Sequence, residues 1–574
     1  MLNPKFSRLL VALFTLALSI PAPLFAQQKQ QGSAAVDSTS SKRPTTTSPA
    51  ATRRSTRSRA LVPLEDDFQE ALRVVEDNYV EGNKLDYNAV FKSSITGMLR
   101  SLDPHSNYFD REEFEDLQTD QRSEYFGIGA SIQSYTVDDK VDTFITSTFE
   151  NSPANRAGLK FGDRILAVDG VDMAGKPSIE VRDKIRGPGG SVVKVTIARA
   201  SDGTTEVIPI TRQAVPQPSI PDAYMLRPGI GYIDMSRGFN YTTTDELQNA
   251  LAELHGKGMT SLVLDLRNNP GGFLDQAIQV AETFLPAGEV ILTQKGRNGF
   301  RDAVQRSRNT SPDLTPMVIL INDATASASE IVSGAMQDHD RAFIVGKTSF
   351  GKGLVQSIIR LDQGAGLTLT SAKYYTPSGR LIQRDYSNGN LYDYYTHGGL
   401  AANQKEAAGK PAGPEKRTDT GRAVYGGGGI SPDEVVEPRT VSLFQRRLLN
   451  PIFAFARELV NNRVAGFENY KVQRPIDFNH GLAPTDFPIT DAVFKAFKDF
   501  AMSQGSLKPS AAQLDHNRDF IARQLRFNLV SAAYGRVTAD RVLITTDDPQ
   551  VAKAIESVPR ARDLAQTAMH ARGQ

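Results

Sequence analysis

Apolar residues recur along this chain with two different periods, and the changes of period mark its elements. Phe68, Leu72, Val75 and Tyr79 fall at helical spacing, as do Val90, Ile95 and Met98, which predicts two helices leading into Leu102-Asp-Pro-His-Ser106 and packing on the core that follows. Between Ser123 and Arg212, short β-favouring runs separated by glycine-bearing turns predict a small β-rich unit with one helix over Ile179 to Ile185. Gly229 to Met235 and Ser261 to Leu266 read as strands with a helix from Thr244 to Leu254 between them, and Phe273 opens another helix. Met317 to Ile321 is a strand, the next helix carries Ile331, Val332, Ala335 and Met336 on one face, and Ala342 to Val345 and Leu354 to Ile359 are strands again. This alternation predicts an α/β core. Asp385 to Gly429, rich in Gly, Asn, Tyr, Lys and Ala, reads as a long, mobile surface insertion. From Val441 onward, amphipathic spacing over Leu448 to Val460, Val493 to Phe500 and Phe520 to Val530 predicts a mostly helical region.

The N-terminus breaks this pattern. Lys5 and Arg8 precede an apolar run from Leu9 to Ile20, and a small residue closes the segment at Ala26, which is the form of a cleaved signal peptide. The expected location is therefore exported, periplasmic or extracytoplasmic, with membrane association only if the segment stays uncleaved. Gln27 to Ala60 is too polar to build a core and is expected to be a flexible tether. A length of 574 residues suggests several domains. A formal net charge of +1 gives no reason to expect a nucleic-acid partner. Arg446, Arg447, Arg457 and Arg463 alternate with apolar residues and read as a solvated helix face. There is no cysteine, so disulfides and thiolate metal sites are excluded. No His/carboxylate set has metal-ligand spacing, and no metal or organic cofactor is expected.

The candidate chemistry lies between Pro316 and Gln356. Ser327 opens the first turn of a helix, where unpaired backbone N–H groups can stabilise a developing oxyanion. Followed by Glu330, it also has the form of a capping box. Lys352 stands between Gly351 and Gly353, free of neighbouring bulk. A lysine is a poor base until burial lowers its pKa, and serine–lysine pairs use such an amine in place of histidine. Gly346 to Lys352 mimics the spacing of a phosphate-binding loop, but Gly353 stands where Ser or Thr would hold magnesium, and a strand follows instead of a helix. His105 lacks an Asp-and-Ser constellation of its own and is assigned a turn or packing role.

Thr325-Ala-Ser-Ala-Ser-Glu330, Phe350-Gly-Lys-Gly353 with Gln356, Asp265-Leu-Arg-Asn-Asn-Pro-Gly-Gly272, Leu102-Asp-Pro-His-Ser106 and Tyr375-Thr-Pro-Ser-Gly-Arg380 together resemble the C-terminal processing (tail-specific) proteases, over roughly Leu64 to Pro438. The resemblance implies a crotonase/ClpP-like spiralled α/β core with an inserted PDZ domain, and a serine–lysine endopeptidase that cleaves proteins near their C-termini. It implies Ser327 as nucleophile, Lys352 as base, Gln356 as the group that orients the lysine, and the N–H groups of Gly272 and Ala328, with Gly271 as neighbour, as oxyanion hole. Gly346-Lys347 departs from the family's Gly-Glu. The segment from Tyr125 to Gly170 looks like a PDZ domain, with Phe126, Gly127, Ile128 and Gly129 placed to receive the free C-terminus of a protein or peptide substrate. The expected organisation is signal peptide 1–26, linker 27–60, N-terminal helical segment 61–116, PDZ domain 117–213, protease core 214–385, Gly-rich insertion 386–430 and helical C-terminal region 431–574. The family's C-terminal helices also suggest a homodimer. The competing functions are a non-catalytic PDZ adaptor on a protease-like scaffold and a crotonase-like acyl-CoA enzyme, which would leave the PDZ domain and the lysine unexplained.

Overall fold

The computed structural model describes residues 49–573 apart from 121–123, 138–139, 300, 388–393, 396–412, 473 and 504–506. The expected signal peptide and the tether up to residue 48 lie outside the described residues, as do two stretches of the Gly-rich insertion. The last part of the expected tether is helical, since one helix runs over Pro49–Asn78. A polar composition rules out a core but not a helix, and Ala and Arg are among the strongest helix formers.

The α/β core is organised by a six-stranded sheet in the order Asp222–Arg227, Ile230–Asp234, Ser261–Asp265, Met317–Ile321, Ala342–Gly346, Glu434–Val435, antiparallel at the first pair and parallel elsewhere. Its central strands are covered on both faces, which is why Ser261–Asp265 and Met317–Ile321 are buried throughout and carry apolar runs instead of alternation. Leu262, Leu264, Ile319 and Ile321 pack against helices Thr243–Gly256, Leu274–Phe284 and Ala328–Asp338. Val263, Val318, Leu320 and Val345 on the opposite face meet Val551, Ala554, Val558 and Ala561 of the C-terminal helix Pro549–Ala571. The sequence carries little apolar period for that helix, because half of this contact face is alanine.

A second, antiparallel sheet carries the lysine corner. Gly366–Tyr375 pairs with Leu354–Arg360 along one edge and with Asn107–Phe109 and Val290–Gly296 along the other. The Leu102–Ser106 turn thus feeds directly into the sheet that holds Leu354–Arg360. The helices before it do not pack as expected: Phe68, Val75, Tyr79 and Met98 are exposed, and only Leu99 of Tyr87–Arg100 is buried. Their helical period is real, but a stripe becomes core only where another surface covers it, and the cover here is partial: Leu72, Val90 and Ile95 are half-buried, and Phe91 meets Tyr108 edge-on at 5.8 Å.

The β-rich unit has strands in the order Ala130–Val137, Lys140–Thr148, Arg164–Val168, Val192–Ala198, Thr205–Thr211, with helix Ser178–Ile185 closing a core of Ile145, Leu159, Ile165, Val181, Val193, Val195 and Ile197. Its entry and exit pair as a stem, Glu124–Gly127 with Gln213–Pro216. Phe144 and Phe161 join the core of the helical C-terminal region, and Tyr135 stacks on Phe453 of helix Leu443–Val460 at 3.9 Å. Arg457 and Arg463 donate to the carbonyls of Gly162 and Ala200, each at 2.8 Å. These two arginines therefore stitch the two units together instead of forming a solvated face, while Arg446 and Arg447 are exposed as expected. The latter part of the insertion is likewise anchored: a hairpin, Glu415–Arg417 with Ala423–Tyr425, is tied to the core by Arg422 on Asp340 at 2.6 Å and on Asp433 at 2.5 Å. Composition does not show such pairings. No described helix is long and apolar enough to cross a membrane.

Candidate active site

Ser327 is fully buried at the start of helix Ala328–Asp338, with φ 58° and ψ −115°. A non-glycine residue adopts such a backbone only where its surroundings over-determine it. Here they do. Thr325 Oγ1 donates to Leu266 O at 2.8 Å, Ala326 N donates to Asn269 O at 3.0 Å, and Asn268 N donates to Asn322 Oδ1 at 2.9 Å, so the serine turn is laced to the Arg267–Gly272 connection. Gly271 has φ +98°, and a Cβ there would stand 2.7 Å from the Cβ of Ser327. Gly272 has φ +150°, and its Cβ would meet Phe239 O at 2.0 Å. The backbone N–H groups of Gly272 and Ala328 have no acceptor among the described residues. Ser327 Oγ likewise has no hydrogen-bond partner among the described residues. Glu330 reaches back to the Ser327 N–H as a capping glutamate should, but the serine hydroxyl is not spent on the helix.

Glu330 does more than cap. Its Oε2 accepts from Ser327 N at 2.9 Å and Lys352 N at 2.8 Å, and its Oε1 accepts from Ser349 Oγ at 2.5 Å and Gly351 N at 2.6 Å. One carboxylate thus fixes the backbones of both candidate residues. Tyr374 repeats the tie from the other side, its hydroxyl 2.6 Å from Lys352 O and 3.0 Å from Ser327 O. In the sequence Glu330 reads only as a cap and no motif includes Tyr374, although it adjoins Tyr375–Arg380. Burial raises the pKa of Glu330, and the four hydrogen bonds oppose that rise.

Lys352 is buried, and burial pushes its amine down to about 8 against the opposing charges of Glu330 and Asp103. Lys347, the other lysine of the loop, pairs instead with Glu437 at 3.4 Å and lies near Asp323 at 3.9 Å. Gln356 is fully buried on Leu354–Arg360; its Nε2 donates to Thr370 Oγ1 at 3.1 Å, while its Oε1 has no partner among the described residues. No hydrogen bond joins Ser327, Lys352 and Gln356 side chains to one another among the described residues. His105 is buried with Nε2 2.6 Å from Tyr394 Oη, a packing position that also faces the charge of Lys352.

In the β-rich unit, Phe126 and Gly127 end the stem strand, and Ile128 is part of the core. The carbonyls of Ile128 and Gly129 accept from Ala154 N at 2.7 Å and Phe149 N at 3.0 Å, while the N–H groups of these two residues have no acceptor among the described residues. Glu289, His339 and Asp419 form a cluster of potential metal ligands far from these residues in the sequence. Arg572 enters it, 3.3 Å from Glu289 and 3.0 Å from Asp419, so its negative charge is already met by a guanidinium.

The model of peptidase family S41 matches residues 229–392, and a PDZ-domain model matches 144–199. The carboxy-terminal-processing protease of Bartonella bacilliformis is 40% identical over 305 residues, 52% of this chain and 68% of that protein. The chain belongs to the carboxy-terminal processing proteases of family S41. The carboxyl-terminal-processing protease of a Synechocystis strain is 37% identical over 296 residues, again 68% of its length. Among solved structures, the photosystem II D1 C-terminal processing protease has 30% identity, with 54% of this chain and 88% of that chain covered and a TM-score of 0.31. The protein is thus a serine-type peptidase with a PDZ domain, and the expected α/β core with a helical C-terminal region is the fold it has.

Proposed function

We propose that this S41 protease is exported and cleaves proteins near their C-termini through Ser327 and Lys352. Ser327 Oγ attacks the scissile carbonyl, neutral Lys352 takes its proton and returns it to the leaving amine, and Gln356 orients the lysine. The N–H groups of Gly272 and Ala328 donate to the tetrahedral oxyanion. The observation that carries the reading is a serine hydroxyl with no structural hydrogen bond, on a strained turn whose backbone one glutamate ties to a buried lysine. The test is Ser327→Ala, which should abolish peptide cleavage in a protein with an unchanged melting temperature, a loss on the order of a million-fold. Near-normal turnover by that variant refutes the assignment. Activity should persist in a chelator.

The PDZ segment is read as the tail receptor, its free Ile128 and Gly129 N–H groups meeting a substrate carboxylate. Hydrogen bonds to a charged group contribute ~1.5–3 kcal/mol each. The Ser327→Ala protein should therefore bind a peptide with a free C-terminus roughly tenfold or more tighter than its C-terminal amide. Equal affinity would mean that the tail enters unread.

A further inference from the structure

Gln356 can orient a lysine only if its own amide is held, and in a sheet interior that depends on what stands opposite. Leu354–Arg360 pairs with Gly366–Tyr375 as Leu354 with Lys373 and Val355 with Ala372, and then as Gln356 with Thr370, so Ser371 is an extra residue in the ladder. This bulge sets Thr370, not Ser371, across from Gln356, and bulges re-aim side chains in this way. Side chains of directly opposed residues share a face, and Gln356 Nε2 donates to Thr370 Oγ1. The displaced Ser371 Oγ bonds Ser357 Oγ at 2.8 Å instead. Thr370 is fixed in turn from outside its own hairpin: its backbone N–H donates to Ser106 Oγ at 3.0 Å. Ser106 Oγ donates to Asp103 Oδ2 at 2.6 Å, and Asp103 Oδ1 accepts the N–H groups of His105 and Ser106, both at 2.8 Å. The Asn107–Thr368 register holds this turn against the strand. Asp103 and Ser106 are buried, so these bonds do not compete with bulk water.

We infer that Asp103, Ser106 and Thr370 are positioning residues that act on catalysis by setting the amide of Gln356, leaving its buried Oε1 as the acceptor for the Nζ of Lys352. The Leu102–Ser106 turn is then a working part of the active site, although it lies about 220 residues before the nucleophile. The inference rests on the reading of Gln356 as the group that orients the lysine. Asp103 has a second effect, since its charge favours the protonated lysine.

The test compares Thr370→Val, Thr370→Ser, Gln356→Ala and the Thr370→Val/Gln356→Ala double variant of the full chain, measuring kcat, KM and melting temperature on one peptide substrate. Thr370→Val should lower kcat about tenfold to a hundredfold with KM within about twofold, because misplaced catalytic groups cost rate and not binding. Thr370→Ser should restore most of the rate, and Thr370→Val should add no loss in the Gln356→Ala background. If the two losses multiply, or Thr370→Val is as active as wild type while Gln356→Ala is impaired, the relay is refuted and the role of Gln356 stands. If Gln356→Ala is fully active, the role of Gln356 falls and the relay with it. Ser106→Ala gives the same comparison should Thr370→Val not fold. Asp103→Asn should move the acidic limb of the kcat profile to lower pH; a turn that serves folding alone would leave that limb in place.

Discussion

Lys352 is a residue whose burial works against the fold and for the reaction. Its amine falls from 10.5 to about 8, a shift worth about 3 kcal/mol at ~1.4 kcal/mol per unit. Between those values the folded protein binds fewer protons than the unfolded chain, so stability rises with pH through this window and bears the full penalty below about pH 8. Lys352→Met should be inactive yet about 3 kcal/mol more stable than wild type at pH 7, with the gain fading towards pH 10.5 in denaturant titrations. In the wild type, turnover should rise with pH through about 8, because only the neutral amine accepts a proton. Glu330→Gln tests the opposite charge. It replaces an acceptor oxygen by an NH2 group that must face backbone donors, either both Ser327 N and Lys352 N or Gly351 N beside the Ser349 hydroxyl. A loss of roughly 1–3 kcal/mol per group left unsatisfied, together with a large fall in kcat, is expected from thermal melts and peptide assays. The Ser327–Glu330 spacing was legible as a cap, but that the hydroxyl stays free was not, because capping and nucleophile positions share one local pattern.

Among the elements, the strand-to-helix turns matter more than the strands and helices they join. The strand Met317–Ile321 and the helix carrying Ile331, Val332, Ala335 and Met336 were legible because a continuous apolar run and a 3.6 period are local signals. The approach of the Arg267–Gly272 connection to the Ser327 turn joins two segments about 55 residues apart, so no local signal carries it, and only the family resemblance, which set Gly272 beside Ala328, led one to expect it. Gly271→Ala probes that approach: its Cβ would meet the Ser327 Cβ at 2.7 Å and Ala326 O at 2.8 Å, at a φ of +98°. Strain of about 1–2 kcal/mol from the backbone alone, plus the clash, should displace the nucleophile. We expect a hundredfold or greater loss of kcat, with loss of labelling by a serine-directed fluorophosphonate; undiminished labelling would show that the turn has room to yield.

For the whole molecule, the C-terminal helix Pro549–Ala571 closes the fold. It is tied at its start by Arg267 to Asp548 and Gln550 at 2.7 and 2.9 Å, and at its end by Arg572 to Asp419 at 3.0 Å. Truncation after Asp547 uncovers Val263, Val318, Leu320 and Val345, and should yield an aggregation-prone protein with a much lower melting temperature. The far tie also senses pH. His339 Nδ1 lies 2.9 Å from Asp419 and 3.3 Å from Glu289, its Nε2 donates to Val290 O, and Arg572 meets the same two carboxylates. Burial opposes the imidazolium, yet these partners raise its pKa above 6.5. A raised folded-state pKa gives stability that is fully present below about 6.5 and lost as pH rises through the folded value. Melting temperature should therefore fall across that step in wild type, and the step should be absent in His339→Gln.

What the sequence by itself determined is whatever depends on neighbours along the chain: the alternation of strands and helices, the PDZ-like order of turns, and the residue types at the serine and lysine corners. The helical period at Phe68, Val75 and Tyr79 belongs to the same class, and it shows the limit of local signals, because nothing in a period says whether a stripe will be covered. Tertiary structure alone decided that Glu330 and Tyr374 bind the two corners together and that Thr370 faces Gln356 across a bulge. It also decided that an alanine-rich last helix completes the core and that Arg457 and Arg463 join two units. Each of these rests on hydrogen bonds or packing between residues distant in the chain, and their energies exist only once folding has removed water from between them.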